Sequence, residues 1–486
     1  MTPRHTTDVA IVGAGVVGAA IARELTRFDL RVTLLEAGPD VGAGTSKANT
    51  AILHTGFDAK PGTLEARLVA RGSELLHAYA AEVGIPVEPT GALLVAWDDE
   101  QLAQFPSIVE KARANGYDAI REIPLEELRR REPHLGAGAR GALEVPDEHI
   151  VCPFTTPLAF TYDAVNAGCV LRLNSPVTGV RRLGGDDAAQ AGFALATPQG
   201  ELSCRWLVNA AGLRSDELHR LAGHDGYTVT PRRGELIVFD KLARPLIRHV
   251  LLPVPTATTK GVLVSPTTFG NVLLGPTAVD IQDKGDRSST PEGIDSLLAA
   301  GRRIMPELLD HEATATYVGL RAATEHGDYQ LALFAPEGYV SVGGIRSTGL
   351  TASLAIGEHV RALLEDAGAA LVARDELPPL RMPNLGEAFP RPYADGERIA
   401  ADPAYGEVVC FCERVTRGEI RDACRAPIPP ADLDGLRRRT RATMGRCQGF
   451  FCGARVRALL TGELAAARAR SHAAPPPAPV AAGGAR

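Results

Sequence analysis

Gly13-Ala14-Gly15-Val16-Val17-Gly18 lies between an apolar run that ends at Val12 and a segment with helical periodicity, and this stretch decides the fold. The next apolar run, over residues 31–36, ends on Glu36. Glycines permit a tight turn and a close approach of backbone to a pyrophosphate, the helix N-terminus faces the phosphates, and the acid binds a ribose hydroxyl. Strand, glycines, helix, strand and acid in this order predict a Rossmann-type dinucleotide-binding domain in an α/β chain.

Length and composition narrow the classes of protein. A chain of 486 residues with 45% hydrophobic residues predicts several domains. Its net charge of −6 argues against non-specific nucleic-acid binding, so we expect no nucleic-acid partner. No apolar run reaches the roughly 18 residues of a membrane span. The N-terminal residues lack a secretory signal pattern, which predicts a cytoplasmic location.

The chain divides by composition. Helical and strand patterns alternate to about residue 370, and a Pro-rich stretch over residues 371–406 predicts a linker. A small cysteine-bearing domain is expected over residues 407–462, followed by a disordered tail over 463–486. Residues 407–470 hold 13 Arg against 7 acids, so this part is basic and the rest of the chain is acidic.

Three further stretches extend the dinucleotide pattern: Gly-Thr-Ser-Lys-Ala-Asn at 44–49, Leu-Val-Asn-Ala-Ala-Gly at 207–212 and Gly-Gly-Ile-Arg-Ser-Thr-Gly-Leu-Thr at 343–351. With the glycine turn they resemble the FAD-dependent amino-acid-oxidase and glycerol-3-phosphate-dehydrogenase superfamily, over residues 8 to about 365. The resemblance implies a Rossmann-type FAD-binding domain interleaved with an antiparallel-sheet substrate domain. The FAD-binding parts would be about 1–90, 150–225 and 325–370, and the substrate-domain parts about 91–149 and 226–324.

The same resemblance implies which residues bind FAD. In that superfamily the last stretch places a helix N-terminus at the pyrimidine edge of the flavin, where its dipole stabilises negative charge. Val177, expected in a strand after residues 174–176, matches a position whose backbone meets adenine. The complete set of expected FAD-binding residues is Gly13, Ala14, Gly15, Val16, Val17, Gly18, Glu36, Ala37, Thr45, Ser46, Asn49, Val177, Ala211, Gly212, Gly344, Gly349, Leu350 and Thr351.

The substrate site is also predicted from the resemblance. Residues 52–57 are similar to the segment that carries the active-site histidine of glycerol-3-phosphate oxidases and L-2-hydroxyglutarate dehydrogenases, which makes His54 a candidate base. Arg321 matches an arginine that holds a substrate anion, a task suited to its planar fork. Lys260 and Arg346 are candidate second cations, with ordinary solvated charge as the alternative. Cations alone do not distinguish phosphate from carboxylate.

Five of the eight cysteines crowd into the C-terminal part of the chain. Cys410 and Cys412 form a C-x-C pair, and Cys447 and Cys452 form a C-x4-C pair; four thiolates suit zinc or a 2Fe–2S cluster. Residues 437–452 resemble the bacterioferritin-associated-ferredoxin-like domain fused to anaerobic glycerol-3-phosphate dehydrogenases. This implies a small helical domain in which these four cysteines bind a 2Fe–2S cluster. Cys424, on a predicted helix, is expected to be a buried apolar residue.

The arginine run over residues 437–441 allows three interpretations: compensation of cluster charge, a solvated helix face, or a docking face for an acidic redox partner. A flavin and a one-electron centre in one chain favour a dehydrogenase that passes electrons to an acceptor protein or subunit. Peripheral membrane association would then arise through partners.

The leading prediction is oxidation of a small anionic hydroxy substrate, sn-glycerol 3-phosphate, to dihydroxyacetone phosphate, with His54 as base and Arg321 holding the anion. The alternatives are an L-2-hydroxyglutarate, amino-acid or imino-acid dehydrogenase on the same fold, and a non-catalytic flavin and iron–sulfur electron-transfer subunit.

Overall fold

The computed structural model describes residues 6–184, 191–255, 261–374, 377–387 and 389–473. The chain forms two compact units, Met1–Arg391 and Pro392–Arg486. Across the described ranges, no helix combines the length and the apolar character needed to cross a bilayer.

The first sheet of the larger unit is built around Thr7–Val12, which pairs in parallel with Val32–Leu35 on one side and Gly200–Asn209 on the other. Tyr339–Gly343 pairs in parallel with Gly200–Asn209. The carboxyl ends of these strands therefore meet at one edge of the sheet, which is where doubly wound sheets bind their ligands. The remaining strands of this sheet are Val170–Arg172, Gly179–Leu183, Gly192–Thr197 and Gln330–Phe334.

A second sheet packs its own apolar core. Its longest pairing is the antiparallel ladder of Thr230–Phe239 with Ala313–Ala323. The expectation of an antiparallel sheet holds except at one place, because Val250–Pro253 pairs in parallel with Ala92–Ala96. The other strands are Arg121–Ile123, Gly141–Val145, Leu263–Pro266, Val272–Gly275 and Val279–Asp280.

A short third sheet joins Ile52–Leu53 and Val87–Glu88 to His149–Val151. It matters for the site because His54 directly follows the first of these strands and Glu148 directly precedes the last. Two residues remote in sequence are thereby brought side by side.

Helices cover the sheets. Val16–Leu25 is almost wholly buried and packs against Gly349–Asp366, where a side-chain carbon at Gly357 would lie 3.1 Å from the carbonyl oxygen of Ala20. Two helices follow one another over residues 99–114: the side chain of Asp98 caps the first, and Pro106 lies in the first turn of the second. The other helices of this unit are Leu64–Val83, Asp99–Ala103, Phe105–Ala114, Leu125–Arg131, Thr155–Asn166, Ser215–Leu221 and Pro291–Ile304.

The expected linker is not uniform. Its first half follows the larger unit, since Met382 and Leu385 are buried and the amide of Met382 donates to the carbonyl oxygen of Val83. Its second half belongs to the smaller unit and includes the helix Gly396–Ala401. Residue 388 lies outside the described residues, as do 375–376.

The smaller unit is mainly helical. A short antiparallel pair, Val408–Cys410 with Val415–Thr416, precedes a helix whose first turn is held by a capping box between Thr416 and Glu419. The helices of the unit are Gly396–Ala401, Arg417–Arg425, Leu433–Thr440 and Gly453–Ala473.

The last helix corrects one expectation, that of a disordered tail over 463–486. Helical structure continues through residues 463–473, so the prediction is wrong for that stretch. Pro475, the first proline of the Pro-rich segment on which the prediction rested, lies with the rest of 474–486 outside the described residues.

Candidate functional site

The glycine turn connects the first strand to the buried helix Val16–Leu25. Gly13 has a φ of +106°, and a side-chain carbon there would lie 2.4 Å from the carbonyl oxygen of Ala210. A side-chain carbon at Gly18 would lie 1.9 Å from the carbonyl oxygen of Gly13. Only glycine fits these positions, so helix and strand approach as closely as a pyrophosphate-binding turn requires.

Glu36 holds this turn from the neighbouring strand. Its Oε2 accepts from the amide of Ala14 at 2.8 Å and its Oε1 accepts from the amide of Gly38 at 2.8 Å. Ala37, between them, is exposed. The carboxylate thus has a role within the protein as well as the ribose contact expected of it.

Val177 does not lie in a strand as expected. It lies in the connection that precedes Gly179–Leu183, and it packs against the core of the first sheet. The amide of Ser175, just before it, donates to the carbonyl oxygen of Glu36 at 2.8 Å. Val177 is therefore near the acidic end of the second strand.

The segment over residues 44–49 lies beside the same turn. Ser46 Oγ accepts from the amide of Val16 at 2.8 Å, so it occupies the helix N-terminus in this structure. Asn49 Nδ2 donates to the carbonyl oxygen of Ser46 at 2.9 Å, and Thr45 Oγ1 donates to the carbonyl oxygen of Leu320 at 2.8 Å. This segment therefore links the glycine turn to the strand that carries Arg321.

Two more glycine segments reach the edge. The amide of Ala210 donates to the carbonyl oxygen of Val12 at 2.9 Å, which places Ala211 and Gly212 next to the glycine turn. Side-chain carbons at Gly44 and Gly212 would meet no atom within 4 Å, so open space borders the backbone at both. These glycines and two helix N-termini form a cradle compatible with the expected dinucleotide.

The second helix N-terminus comes from the stretch over residues 343–351. Gly344 has a φ of +66° and turns the chain, and Gly349 begins the helix Gly349–Asp366 with Leu350 and Thr351 in its first turn. Thr351 Oγ1 accepts from the amide of His54 at 3.0 Å. The expected cofactor-binding helix and the candidate base are thus directly connected.

His54 has a buried partner that the sequence did not reveal. Its Nδ1 lies 2.9 Å from Oε2 of Glu148, which is fully buried. Glu148 Oε1 also accepts from the amide of Thr55 at 2.7 Å and from its hydroxyl at 3.1 Å. Because a carboxylate only accepts, the contact assigns the proton of a neutral His54 to Nδ1 and leaves its lone pair on Nε2.

His149 follows Glu148 and adds a second imidazole to this region. Its ring lies edge-on to that of His77 with centroids 5.0 Å apart. Burial, partly offset by a backbone contact of Glu148, lowers the pKa of His149, which keeps this ring neutral near pH 7.

Arg321 lies near the end of the strand Ala313–Ala323 and is largely buried. Its Nη1 donates to the carbonyl oxygen of Thr277 at 3.3 Å, and among the described residues no carboxylate pairs with it. Burial, followed by the nearby charge of Arg232, lowers the pKa of Arg321 to about 10, so it stays protonated at neutral pH. A buried cation without a counter-charge is a favourable place for an anion.

The two other expected cations differ from Arg321. Arg346 Nη2 donates to Glu65 Oε2 at 2.8 Å and to the carbonyl oxygen of Gly327 at 2.8 Å, so its charge is already compensated. Lys260 lies outside the described residues. A role for either in binding substrate stays a prediction.

The four candidate cluster ligands are neighbours in the smaller unit. Burial raises the pKa of the Cys412 thiol, and Cys447 lies close enough to raise it further; at Cys452, burial and the nearby Cys410 do the same. Within the described part of the chain, no three His, Cys, Asp or Glu residues converge on one metal ion. Two adjacent thiol pairs suit two irons that take two thiolates each, which is the arrangement of a 2Fe–2S cluster.

The loop between Cys447 and Cys452 is shaped to hold a thiolate. Hydrogen bonds from the amide of Phe451, and also from those of Gly449 and Phe450, lower the pKa of Cys447. Burial, together with the charge and hydrogen bond of Cys410, raises the pKa of Cys452 to about 12. Metal coordination requires the thiolate, so the loop donors favour the ligand form at one position before iron arrives.

The arginine run is a structural feature, contrary to the interpretation as a solvated face. Arg438, Arg439 and Arg441 are all buried. Arg441 Nε donates to Oε2 of the buried Glu413 at 3.0 Å, which joins the run to the residue after Cys412. Neither a solvated face nor a docking face can be formed by side chains buried in this way.

Cys424 is fully buried in the helix Arg417–Arg425, as its interpretation as an apolar residue requires. Burial raises the pKa of its thiol to about 11. It therefore stays protonated and unreactive at neutral pH.

Comparison with known proteins agrees with these features. The family model "FAD dependent oxidoreductase" matches residues 8–363, and the model "BFD-like [2Fe-2S] binding domain" matches residues 408–461. The chain is 33% identical to the glycerol 3-phosphate dehydrogenase of Caloramator mitchellensis, with 94% of each chain covered. It is 30% identical to the human mitochondrial L-2-hydroxyglutarate dehydrogenase, over 56% of this chain and 61% of that protein.

Among solved structures, the dithionite-reduced L-alpha-glycerophosphate oxidase of Mycoplasma pneumoniae with FAD bound superposes with a TM-score of 0.72. The two are 27% identical, and the match covers 78% of this chain and 99% of that one. The chain therefore belongs to the FAD-dependent oxidoreductase family, carries a C-terminal BFD-like 2Fe–2S domain, and has FAD and a 2Fe–2S cluster as its cofactors.

Proposed function

We propose that this oxidoreductase is a glycerol-3-phosphate dehydrogenase that converts sn-glycerol 3-phosphate to dihydroxyacetone phosphate and passes the electrons to an acceptor protein. The observation that carries the proposal is Arg321, a largely buried guanidinium that lacks a carboxylate partner among the described residues. Such a cation is stabilised by an anionic ligand, and a phosphate monoester suits its planar fork. The relative from Caloramator mitchellensis, similar over nearly its whole length, supports the same substrate.

Different segments of the chain bind the cofactor and the substrate in this proposal. We assign FAD binding to the glycine turn, Glu36 and the segments around Ser46, Gly212 and Gly349, within about 1–90, 150–225 and 325–370. Residues of about 91–149 and 226–324 would form the substrate domain, with Arg321 at its edge. When bound, FAD supplies hydride acceptance and the 2Fe–2S cluster supplies one-electron transfer.

His54 takes the proton in this scheme. Oxidation of a secondary alcohol removes a hydride from carbon and a proton from the hydroxyl, and Nε2 of His54 accepts that proton. Glu148 at Nδ1 orients the ring and stabilises the imidazolium that forms. The hydrogen bond from the His54 amide to Thr351 fixes the backbone of the base relative to the helix N-terminus.

The test is an anaerobic titration of the purified enzyme, with flavin absorbance at each addition. We expect sn-glycerol 3-phosphate to bleach the flavin, and L-2-hydroxyglutarate, amino acids and imino acids to leave it oxidised. Bleaching by L-2-hydroxyglutarate alone would assign the site to a carboxylate substrate, as in the human relative. Failure of all these compounds would favour an electron-transfer subunit without its own substrate.

The role of His54 is tested by His54→Ala. Loss of a positioned base slows a proton transfer by about 10²–10⁴-fold, so the rate of flavin bleaching should fall by that factor. Stopped-flow absorbance at saturating substrate measures this rate. An unchanged rate would assign the proton to another residue.

A further inference from the structure

The loops that carry the cluster cysteines expose aromatic side chains. Phe411, between Cys410 and Cys412, is 72% exposed, and Phe450 and Phe451, before Cys452, are 86% and 80% exposed. They are the three most exposed large hydrophobic side chains among the described residues. Burying a phenylalanine is worth about 1.5–3 kcal/mol, so a chain that leaves three beside one cofactor keeps them available for a partner.

The charge of these loops is of one sign. Residues 411–414 and 446–457 contain four arginines with exposed side chains: Arg414, Arg446, Arg455 and Arg457. Glu413 is the one acid in these two segments, and it is buried against Arg441. Arg455 pairs with Glu407, and the guanidinium of Arg414 lies over the ring of Tyr393 at 5.0 Å from its centroid.

Aromatic and arginine side chains are the residues enriched in the energetic centres of protein interfaces. Phe450 and Phe451 also form one unit, with their rings edge-on at a centroid distance of 5.3 Å. A small apolar centre within a positive rim suits a brief encounter with a carrier of opposite charge, because charge steers the approach and a limited apolar contact permits release.

We infer that Phe411, Phe450 and Phe451, with the arginines around them, form the docking surface for an acidic one-electron carrier protein that oxidises the 2Fe–2S cluster. The inference rests on the proposed function, in which two electrons leave the substrate together and depart one at a time. Each docking event oxidises the cluster by one electron and reduces one carrier by one electron, so two carriers are reduced per substrate. The arginine run over 437–441 has no part in the surface, since Arg438, Arg439 and Arg441 are buried.

The probe is a pair of haem proteins that differ in charge: native cytochrome c, which is basic, and succinylated cytochrome c, which is acidic. Binding to the oxidised enzyme without substrate is measured by isothermal titration calorimetry at low and high salt. We expect the succinylated form to bind, with affinity falling at least tenfold between 20 and 200 mM salt, and the native form not to bind.

Variants locate the surface. Phe450→Ser together with Phe451→Ser should weaken binding of the succinylated form at least tenfold, and Phe389→Ser, at a phenylalanine 47% exposed in the larger unit, should not change it. Arg457 is exposed on the last helix, outside the loops that carry the cysteines. Arg457→Glu should weaken binding of the succinylated form and reduce the dependence of its affinity on salt, and it should leave those loops unchanged. The visible absorbance of the cluster confirms that each variant is loaded.

The outcomes separate this inference from the proposed function. Unchanged affinity in both the phenylalanine and the Arg457 variants would refute the docking surface. Binding of native cytochrome c, or failure of both forms of cytochrome c to bind, would also refute it. Unchanged binding with slower passage of electrons from reduced flavin to the cluster would also overturn it, and would assign the phenylalanines to contact with the flavin-bearing part. A failure of sn-glycerol 3-phosphate to bleach the flavin would refute the substrate and leave the binding result standing.

Discussion

Arg441 in the smaller unit and Arg321 in the larger unit differ in how the fold compensates their charge. In the smaller unit, Arg441 is buried against Glu413 and Arg438 pairs with Asp434, so both of these charges have a carboxylate partner within the fold. In the larger unit, Arg321 is largely buried with a carbonyl contact and, as far as the described residues extend, no carboxylate. A desolvated charge without a partner lowers stability. We therefore expect Arg441 and Arg438 to stabilise the fold and Arg321 to bind a ligand.

The largest effect should follow from breaking the buried ion pair of Arg441 with Glu413. Arg441→Met leaves Glu413 buried without its cation, which costs about 3–5 kcal/mol. We expect the smaller unit to unfold in this variant and the visible bands of the cluster to be lost, while substrate still bleaches the flavin. Absorbance and thermal denaturation measure both. Arg425→Met serves as control, because its pair with Glu463 is at the surface and should change stability by less than about 1 kcal/mol.

Removing Arg321 should lower substrate affinity without lowering the stability of the fold. Arg321→Met deletes the predicted anion contact, and loss of two charge-assisted hydrogen bonds weakens substrate binding by about a hundredfold or more. The melting temperature should stay the same or rise, because a buried charge without a partner is gone. Anaerobic flavin titration and calorimetry give the two numbers. A large drop in stability with unchanged affinity would make Arg321 structural and remove the main support for the proposed substrate.

A smaller effect is expected at Glu148, a buried carboxylate whose two oxygens are hydrogen-bonded to His54 and Thr55. Glu148→Gln keeps the shape but replaces one carboxylate oxygen with an amide nitrogen that cannot accept a hydrogen bond, so either His54 or Thr55 loses its acceptor. We expect kcat to fall about ten- to a hundredfold with little change in KM, which corresponds to about 1–3 kcal/mol. Glu148→Asp should recover part of the rate. Equal losses in kcat and in thermal stability without recovery by Asp would indicate a structural role alone.

The smallest effect should come from Arg346, a partly exposed cation already paired with Glu65. Arg346→Gln removes an ion pair worth about 1 kcal/mol or less. Substrate affinity should therefore change less than about threefold in the titration used for Arg321. A loss of affinity close to that of Arg321→Met would show that both arginines bind the anion, so the substrate site would contain two cations.

The sequence predicted the backbone geometry of the glycine turn, which depends on local residue types. Gly13 and Gly18 have no room for a side chain, so the presence of glycine at these positions already indicates the tight turn. The bounds of the strand Ala92–Ala96 and of Tyr339–Gly343 were also predictable, because an apolar run between turn residues has few other solutions.

Contacts across the fold could not be predicted in this way. Glu148 reaches His54 only because the strands Ile52–Leu53 and His149–Val151 pair. These strands have two and three residues, which is too short for an alternating pattern of apolar residues to be recognised in the sequence. The pairing of Arg346 with Glu65 likewise joins residues far apart in the chain. The burial of Arg438 and Arg439 was missed because a run of arginines normally indicates solvent exposure, and here tertiary packing prevails.

The backbone around the cysteines has a consequence for iron supply. Arg414, Arg441, Thr443 and Gln448 all have left-handed φ values without being glycine, and such residues store roughly 1–3 kcal/mol each. Bonds from thiolates to iron offset this strain, so we expect loss of the cluster to destabilise the smaller unit. In an iron-starved cell the chain would keep a flavin body able to take electrons from substrate, and would lose the route by which they leave.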